Sequence, residues 1–287
     1  MHKDGKWAKQ IIALQESDGK WGCFHSLSQF YDASITTEQA LRRLQYLGYT
    51  MEDECIQKAV SYMNDCLTGK KSIPDRREKV QDWDVFTALI LATWIRRFTK
   101  DNSHANKVAK QWAEVVSRAF VAGTYNREEY GLAYQEILQP KGGRIGDFTN
   151  FYPMSLLCDC LDAQTECAVM DYVLYKEDGI YYIYDHEISV LPKDFESKKA
   201  SRYLAAIELL AKYKHANHKL DFVVDWLNCN RNENGKWDMG KSVNDKWYFP
   251  LSDDWRKAET RETDCTERIE KVLRELTEVQ KCRATTP

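Results

Sequence analysis

The sequence predicts an all-α fold. Apolar residues recur at helical spacing in one segment after another, no stretch alternates apolar and polar residues as a half-buried strand would, and glycines stand just past several helical segments, where a C-cap is expected.

Taken in order, Trp7, Ile11, Ile12 and Leu14 mark a first helix closed by Gly19. Thr36 and Gln39 stand at capping-box spacing, so a second helix is expected to open there and run through Leu44. Asp82 precedes the strongly apolar stretch DWDVFTALILATWIRRF. The segments 104–121 and 127–139 both look helical, and either could pair with a helix opening at Asn150, which carries Pro153 in its first turn. Ser197 opens another helix, and Phe222, Val223, Trp226 and Leu227 mark one that Gly235 ends. Asp264 and Glu267 repeat the capping-box spacing, so the last helix is expected to begin at Asp264, with Ile269, Val272, Leu273, Leu276 and Val279 turned inward.

One pattern occurs twice at the same spacing, the second copy with Arg231 where the first has glutamine. Ile11-x3-Gln15-x3-Gly19-x-Trp21 is matched at identical spacing by Leu227-x3-Arg231-x3-Gly235-x-Trp237. Two degraded copies run Gln139-x3-Gly143-x-Ile145 and Tyr175-x3-Gly179-x-Tyr181. The glycine intervals, 124, 36 and 56 residues by subtraction of these positions, are too uneven for a regular solenoid and suit a closed ring of helix pairs around one core. One domain over residues 1–287 is the expectation.

The apolar-x3-Gln-x3-Gly-x-Trp pattern resembles the QW repeat of the squalene cyclase and protein prenyltransferase superfamily. That resemblance implies an α/α toroid, here of about five to six helical hairpins, in which Gln15 and Trp21 tie a helix end to its neighbour. Class II cyclases of the superfamily protonate an alkene with the middle aspartate of Asp-x-Asp-Asp; this chain has Asp82-Trp83-Asp84-Val85. The prenyltransferases hold zinc with Asp-x-Cys and a distant histidine, whereas Asp65-Cys66, Asp159-Cys160 and Asp264-Cys265 are adjacent pairs. The resemblance therefore implies a divergent member with neither motif complete and with no cofactor or metal.

Bulk properties narrow the partners. Lysine and arginine number 41 against 44 acidic residues, a net charge of −3, so neither nucleic acid nor an anionic membrane surface is implied. No segment approaches the roughly 20 apolar residues of a membrane span, and the charged opening MHKDGK lacks a signal-peptide pattern. Nine scattered cysteines, an odd number, read as reduced thiols in a cytoplasm rather than as a disulfide framework.

Asp82 and Asp84 are the candidate acid/base pair, although aspartate at a helix start more commonly caps amides. Cys158, Cys160 and Cys167 lack zinc-knuckle spacing, and His215 with His218 falls where a helix end would favour histidine without any metal. Aromatic residues concentrate in the turns and linkers, among them Phe24, Phe30, Tyr31, Trp83, Phe148, Tyr152, Tyr181, Tyr182, Tyr184, Trp247, Trp255 and, beside them, polar His25, Asp32, Asp147, His186, Arg256 and Arg261. If the helices alternate in direction these linkers share one end of the ring, and Trp83, Phe148, Tyr152, His186, Trp247, Trp255 and Arg256 are the candidate ligand residues at that mouth. The expected ligand is apolar, isoprenoid-like or aromatic. A polysaccharide-processing enzyme, with a carbohydrate ligand and Asp82 or Asp84 opposite Asp253 or Asp254, is the first alternative, and a non-catalytic interaction module the second.

Overall fold

The protein is all-helical. Its computed structural model describes residues 2–25 and 35–284, with side chains of the last helix to Thr277, and among these residues are eleven α-helices and no β-strand. They are α1 (Lys6–Ile12), α2 (Thr37–Tyr46), α3 (Glu54–Leu67), α4 (Trp83–Phe98), α5 (Ser103–Ala119), α6 (Arg127–Leu138), α7 (Phe151–Leu157), α8 (Ala163–Leu174), α9 (Lys198–Leu210), α10 (Asp221–Cys229) and α11 (Ala258–Ala284). Phe30, Tyr31, Asp32 and the side chain of Val279 lie outside the described residues.

Local start signals act where the spacing places them. The Thr36 hydroxyl accepts from the Gln39 amide at 3.3 Å while the Gln39 side chain accepts from the Thr36 amide at 3.1 Å, a complete capping box for α2. Asp82 caps α4, Asn150 caps α7 and Ser197 caps α9. Asp264 behaves otherwise. Helix α11 begins at Ala258, so Asp264 lies inside it and caps nothing. Residues 258–263 hold no glycine or proline, and the helix propagates back through them. The Asp264 carboxylate, fully buried, instead accepts from the Leu251 and Ser252 amides at 2.8 Å each and pins that loop to the helix. Leu14 is likewise past the end of α1 and about half exposed, and α9 ends before His215 and His218, which are exposed beyond it.

The chain divides into two compact units, residues 1–115 with 131–146 and residues 116–130 with 147–287. In the first, α3 packs along α4, and Trp21, Phe24, Leu41, Ile56, Met63, Ile90 and Trp94 form the buried centre. In the second, α10 packs on α11, and Phe148, Leu156, Val169, Ile207, Val223, Trp237 and Ile269 are buried.

Each unit contains one tryptophan-bearing copy of the sequence pattern, and the two copies build the same structure. The indole N–H of Trp21 donates to the Ile11 carbonyl at 2.7 Å, and that of Trp237 donates to the Leu227 carbonyl at 2.7 Å. Backbone N–H groups of the same tryptophans donate to Thr37 and Thr266 hydroxyls at 2.9 and 3.2 Å. The turn between closes in matching fashion, Glu16 N to Lys20 O at 2.9 Å and Asn232 N to Lys236 O at 2.8 Å. Burying one indole removes of order 200 Å² from water, roughly 5 kcal/mol of transfer free energy. The sixth position before the tryptophan differs: Gln15 donates to the Gly19 and Cys55 carbonyls at 2.9 and 2.8 Å, whereas the Arg231 guanidinium stacks 4.6 Å from the Trp237 ring. The degraded copies keep only the glycine turn, because Ile145 and Tyr181 at the tryptophan position are exposed.

The two glycines are not equivalent. Both have positive φ, +100° at Gly19 and +74° at Gly235, but a Cβ at Gly19 would lie 2.5 Å from the Lys58 carbonyl oxygen, while at Gly235 it would meet nothing within 4 Å. Gly235→Ala should therefore cost about 1 kcal/mol, the left-handed penalty alone, and Gly19→Ala clearly more. Urea unfolding of the two variants measures the difference, and equal losses would show that α3 does not press on the first turn.

Candidate functional site

Asp82, Trp83 and Asp84 open α4 in the first unit. One oxygen of Asp82 accepts from the Asp84 and Val85 amides at 3.0 Å each, and the other accepts from the Lys141 amide at 2.8 Å. The segment carrying Lys141 is laid against residues 80–82, with Arg144 N donating to Val80 O at 2.8 Å and Gly143 too close to Gln81 for a Cβ. Burial alone would raise the Asp82 carboxyl, but the amides of Val85, Lys141 and Asp84 outweigh it and hold the group below the usual aspartate range. Asp82 is thus an ionised cap whose two oxygens are both engaged, and the position of the protonating middle aspartate falls instead to Asp84. Asp84 is exposed and pairs with the Lys141 ammonium at 2.7 Å. Trp83 is half-buried beside Phe86, ring centroids 6.2 Å apart.

In the second unit the candidate residue Phe148 is fully buried at the centre of five rings. Phe120, Tyr125, Tyr130 and Tyr172 lie 5.6 to 5.8 Å from it, and Tyr125 and Tyr172 are 4.6 Å apart. Tyr125 and Tyr172 are only half-buried, which leaves a tyrosine pair at the edge of the cluster. Burial, helped by Tyr172 and Asp147, pushes the Tyr125 hydroxyl up to about 12; burial and Asp147 raise Tyr172 as well. Both are neutral phenols at physiological pH, able to donate or accept a hydrogen bond. Asp147 accepts from the Thr149 amide and hydroxyl at 2.8 Å each, which fixes the segment that carries Phe148.

The same segment supports a second tyrosine group. Tyr181 N donates to Thr149 O, and Phe151 N donates to Tyr181 O, both at 3.1 Å. Residues 180–184 form a tight loop closed by reciprocal bonds between Ile180 and Tyr184 at 2.8 and 3.0 Å. At its tip Tyr182 adopts φ +78°, a position that glycine normally takes and that costs a side chain about 1 kcal/mol or more. Its ring lies 5.9 Å from the candidate residue Tyr152 and 6.3 Å from Tyr181, whose side is 68% exposed. His186, also a candidate, is exposed beyond the loop, edge-on to Tyr184 at 5.3 Å.

Trp247, Trp255 and Arg256 stand on a third stretch. Trp255 is 6% exposed against Phe249 at 5.0 Å, so it packs the loop rather than presenting a ring to solvent. Arg268, buried one turn after Asp264, stacks on Tyr248 and Phe249 at 4.8 and 5.0 Å and donates to Glu208 at 2.6 Å. Trp247 is partly exposed, and Arg256 is exposed with its carbonyl accepting from Arg261 at 3.1 Å. Of the candidate ligand residues, the segment 147–152 with its two tyrosine groups brings together Phe148 and Tyr152. Tyr125 and Tyr172 complete the cluster without any local sequence signal: the first is in the α5–α6 connection and the second within α8. Among the described residues no group of three His, Cys, Asp or Glu side chains is placed to hold a metal ion, and no helix is long and apolar enough to cross a membrane.

Two outcomes test this geometry. The folded Asp82 carboxylate binds its proton less tightly than the unfolded one, so its contribution is complete above about pH 4 and is lost as pH falls through the lower folded value. Asp82→Ala should cost about 1–2 kcal/mol at pH 7 and much less near pH 2, and a gap of equal size at both pH values would remove the charged cap. At residue 182 the usual order of helix and sheet interiors reverses: Tyr182→Gly should be more stable than Tyr182→Ala by about 1 kcal/mol in thermal unfolding, and the reverse order would mean the loop relaxes around alanine. No protein-family model, curated protein or solved structure matches this chain, so its own residues carry the functional argument.

Proposed function

We propose that this is a ligand-binding protein, divergent from the terpenoid cyclase and prenyltransferase superfamily, whose ligand lays a flat apolar face on the tyrosines around residues 147–152. That face could belong to an aromatic ring, an isoprenoid or the CH side of a sugar. The observation that carries the reading is the five-ring cluster around Phe148, which leaves the neutral phenols Tyr125 and Tyr172 only half-buried at its edge. Acid catalysis through Asp82 or Asp84 is no part of the proposal, since amide hydrogen bonds engage both oxygens of Asp82 and Asp84 is exposed and paired with the Lys141 ammonium. The family reading and its α/α ring belong to the proposal too, supported by the two matching tryptophan anchors. A reducing, cytoplasmic setting suits the eight described cysteines, all free thiols.

Ligand-observed NMR with benzyl alcohol, farnesol and maltose as simple carriers of the three faces tests the reading. At least one should show saturation transfer, reduced severalfold in Tyr125→Ala and Tyr172→Ala and unchanged in Asp84→Asn. Identical transfer in wild type and both tyrosine variants would overturn the assignment of the site.

A further inference from the structure

We infer that Tyr181 and Tyr182, backed by buried Tyr152, are a binding platform for a carbohydrate chain, an inference that rests on the reading of the 147–152 segment as a ligand site and selects among its possible ligands.

Three rings follow one another at 5.9 and 6.3 Å, tilted by 31° and 45° between neighbours. They run outward from buried Tyr152 through partly buried Tyr182 to Tyr181 in solvent. Only Tyr182 and Tyr181 are reached by solvent, and two rings 6.3 Å apart match adjacent units of a ligand that repeats one ring after another, as a polysaccharide does.

The platform is held rigid. Tyr181 is bonded through both its backbone groups to the 149–151 segment, and the loop is closed at its base by the Ile180–Tyr184 pair. Little order is then lost when a ligand docks, which favours weak stacking contacts. Tyr182 keeps a side chain at φ +78° where glycine would be relaxed, and a strained aromatic held beside an exposed one is the arrangement expected when the ring itself is used.

The chemistry selects a sugar over an isoprenoid. An isoprenoid gains affinity by leaving water on all sides, and a ring as open as Tyr181 offers it only one face. A pyranose needs one face only: its CH side covers the tyrosine while its hydroxyls stay in water or meet nearby polar groups. Asp185 and His186, exposed and 3.9 Å apart just after the loop, supply an acceptor and an imidazole for them.

The test is isothermal titration calorimetry of the full chain with maltohexaose, cellohexaose and chitohexaose, and in parallel with farnesol, using wild type, Tyr181→Ala and Tyr182→Gly. Tyr181 is exposed and Tyr182→Gly relieves strain, so both variants should remain folded, as circular dichroism would verify. The expected result is that one hexasaccharide binds wild type and each variant weakens it by about tenfold or more. Farnesol binding that depends on Tyr181 and Tyr182, with no hexasaccharide binding, would overturn the carbohydrate assignment and leave the ligand site standing. No binding of any of these probes would overturn the platform and leave the ligand site to the aromatic probe, and hexasaccharide binding unaffected by either variant would also overturn the platform.

Discussion

A helix ends with carbonyl groups that have no donor inside the helix, and a protein made of short helices has many such ends to satisfy. Here two of them, Ile11 and Leu227, receive the indole N–H of a tryptophan ten residues further on. That one bond fixes several things together. It forces the chain to reverse within a glycine turn, it buries the largest side chain available, and it brings the tryptophan backbone under the threonine of the next helix pair member. Where the tryptophan is replaced, at Ile145 and Tyr181, the turn survives but the side chain is released to solvent. At Tyr181 that release is what places an aromatic ring on the surface.

Charge is distributed on a related principle. Asp82 and Asp264 are both buried carboxylates used as acceptors for backbone amides, one at a helix start and one in mid-helix. Arg268 answers Glu208 and lies over two rings at once, so a buried cation is compensated by a carboxylate and by π density. These groups organise loops. Tyr125 and Tyr172, at the edge of the Phe148 cluster, are by contrast half-buried neutral phenols.

What could be read from the sequence was local. Thr36 with Gln39, Asp82, Asn150 and Ser197 announce helix starts because the bonds they make reach only two or three residues. The two tryptophans were legible as a repeat of identical spacing, though not the ten-residue bonds their indoles make. Asp264 carries the identical spacing and does something else, because its partners Leu251 and Ser252 lie on a loop whose path no local rule specifies. The candidate site was visible in outline as aromatic linkers, yet their burial was not: Phe148 and Trp255 are packing residues, while Tyr125 and Tyr172, on a short connection and a helix, supply the open edge. Which face of an aromatic is left uncovered is decided by tertiary packing, and residue type alone is silent on it.

The tryptophan anchors also bear on the order of folding. Each joins groups ten residues apart, so closing it encloses a short loop and costs little chain entropy. In the first unit the accompanying threonine bond spans only sixteen residues. The opening stretch of the chain can therefore take its native turn early, ahead of contacts that join distant segments. The last copy differs, since Thr266 is twenty-nine residues from Trp237. The two copies thus share a short ten-residue loop and differ in how far along the chain their accompanying contacts reach.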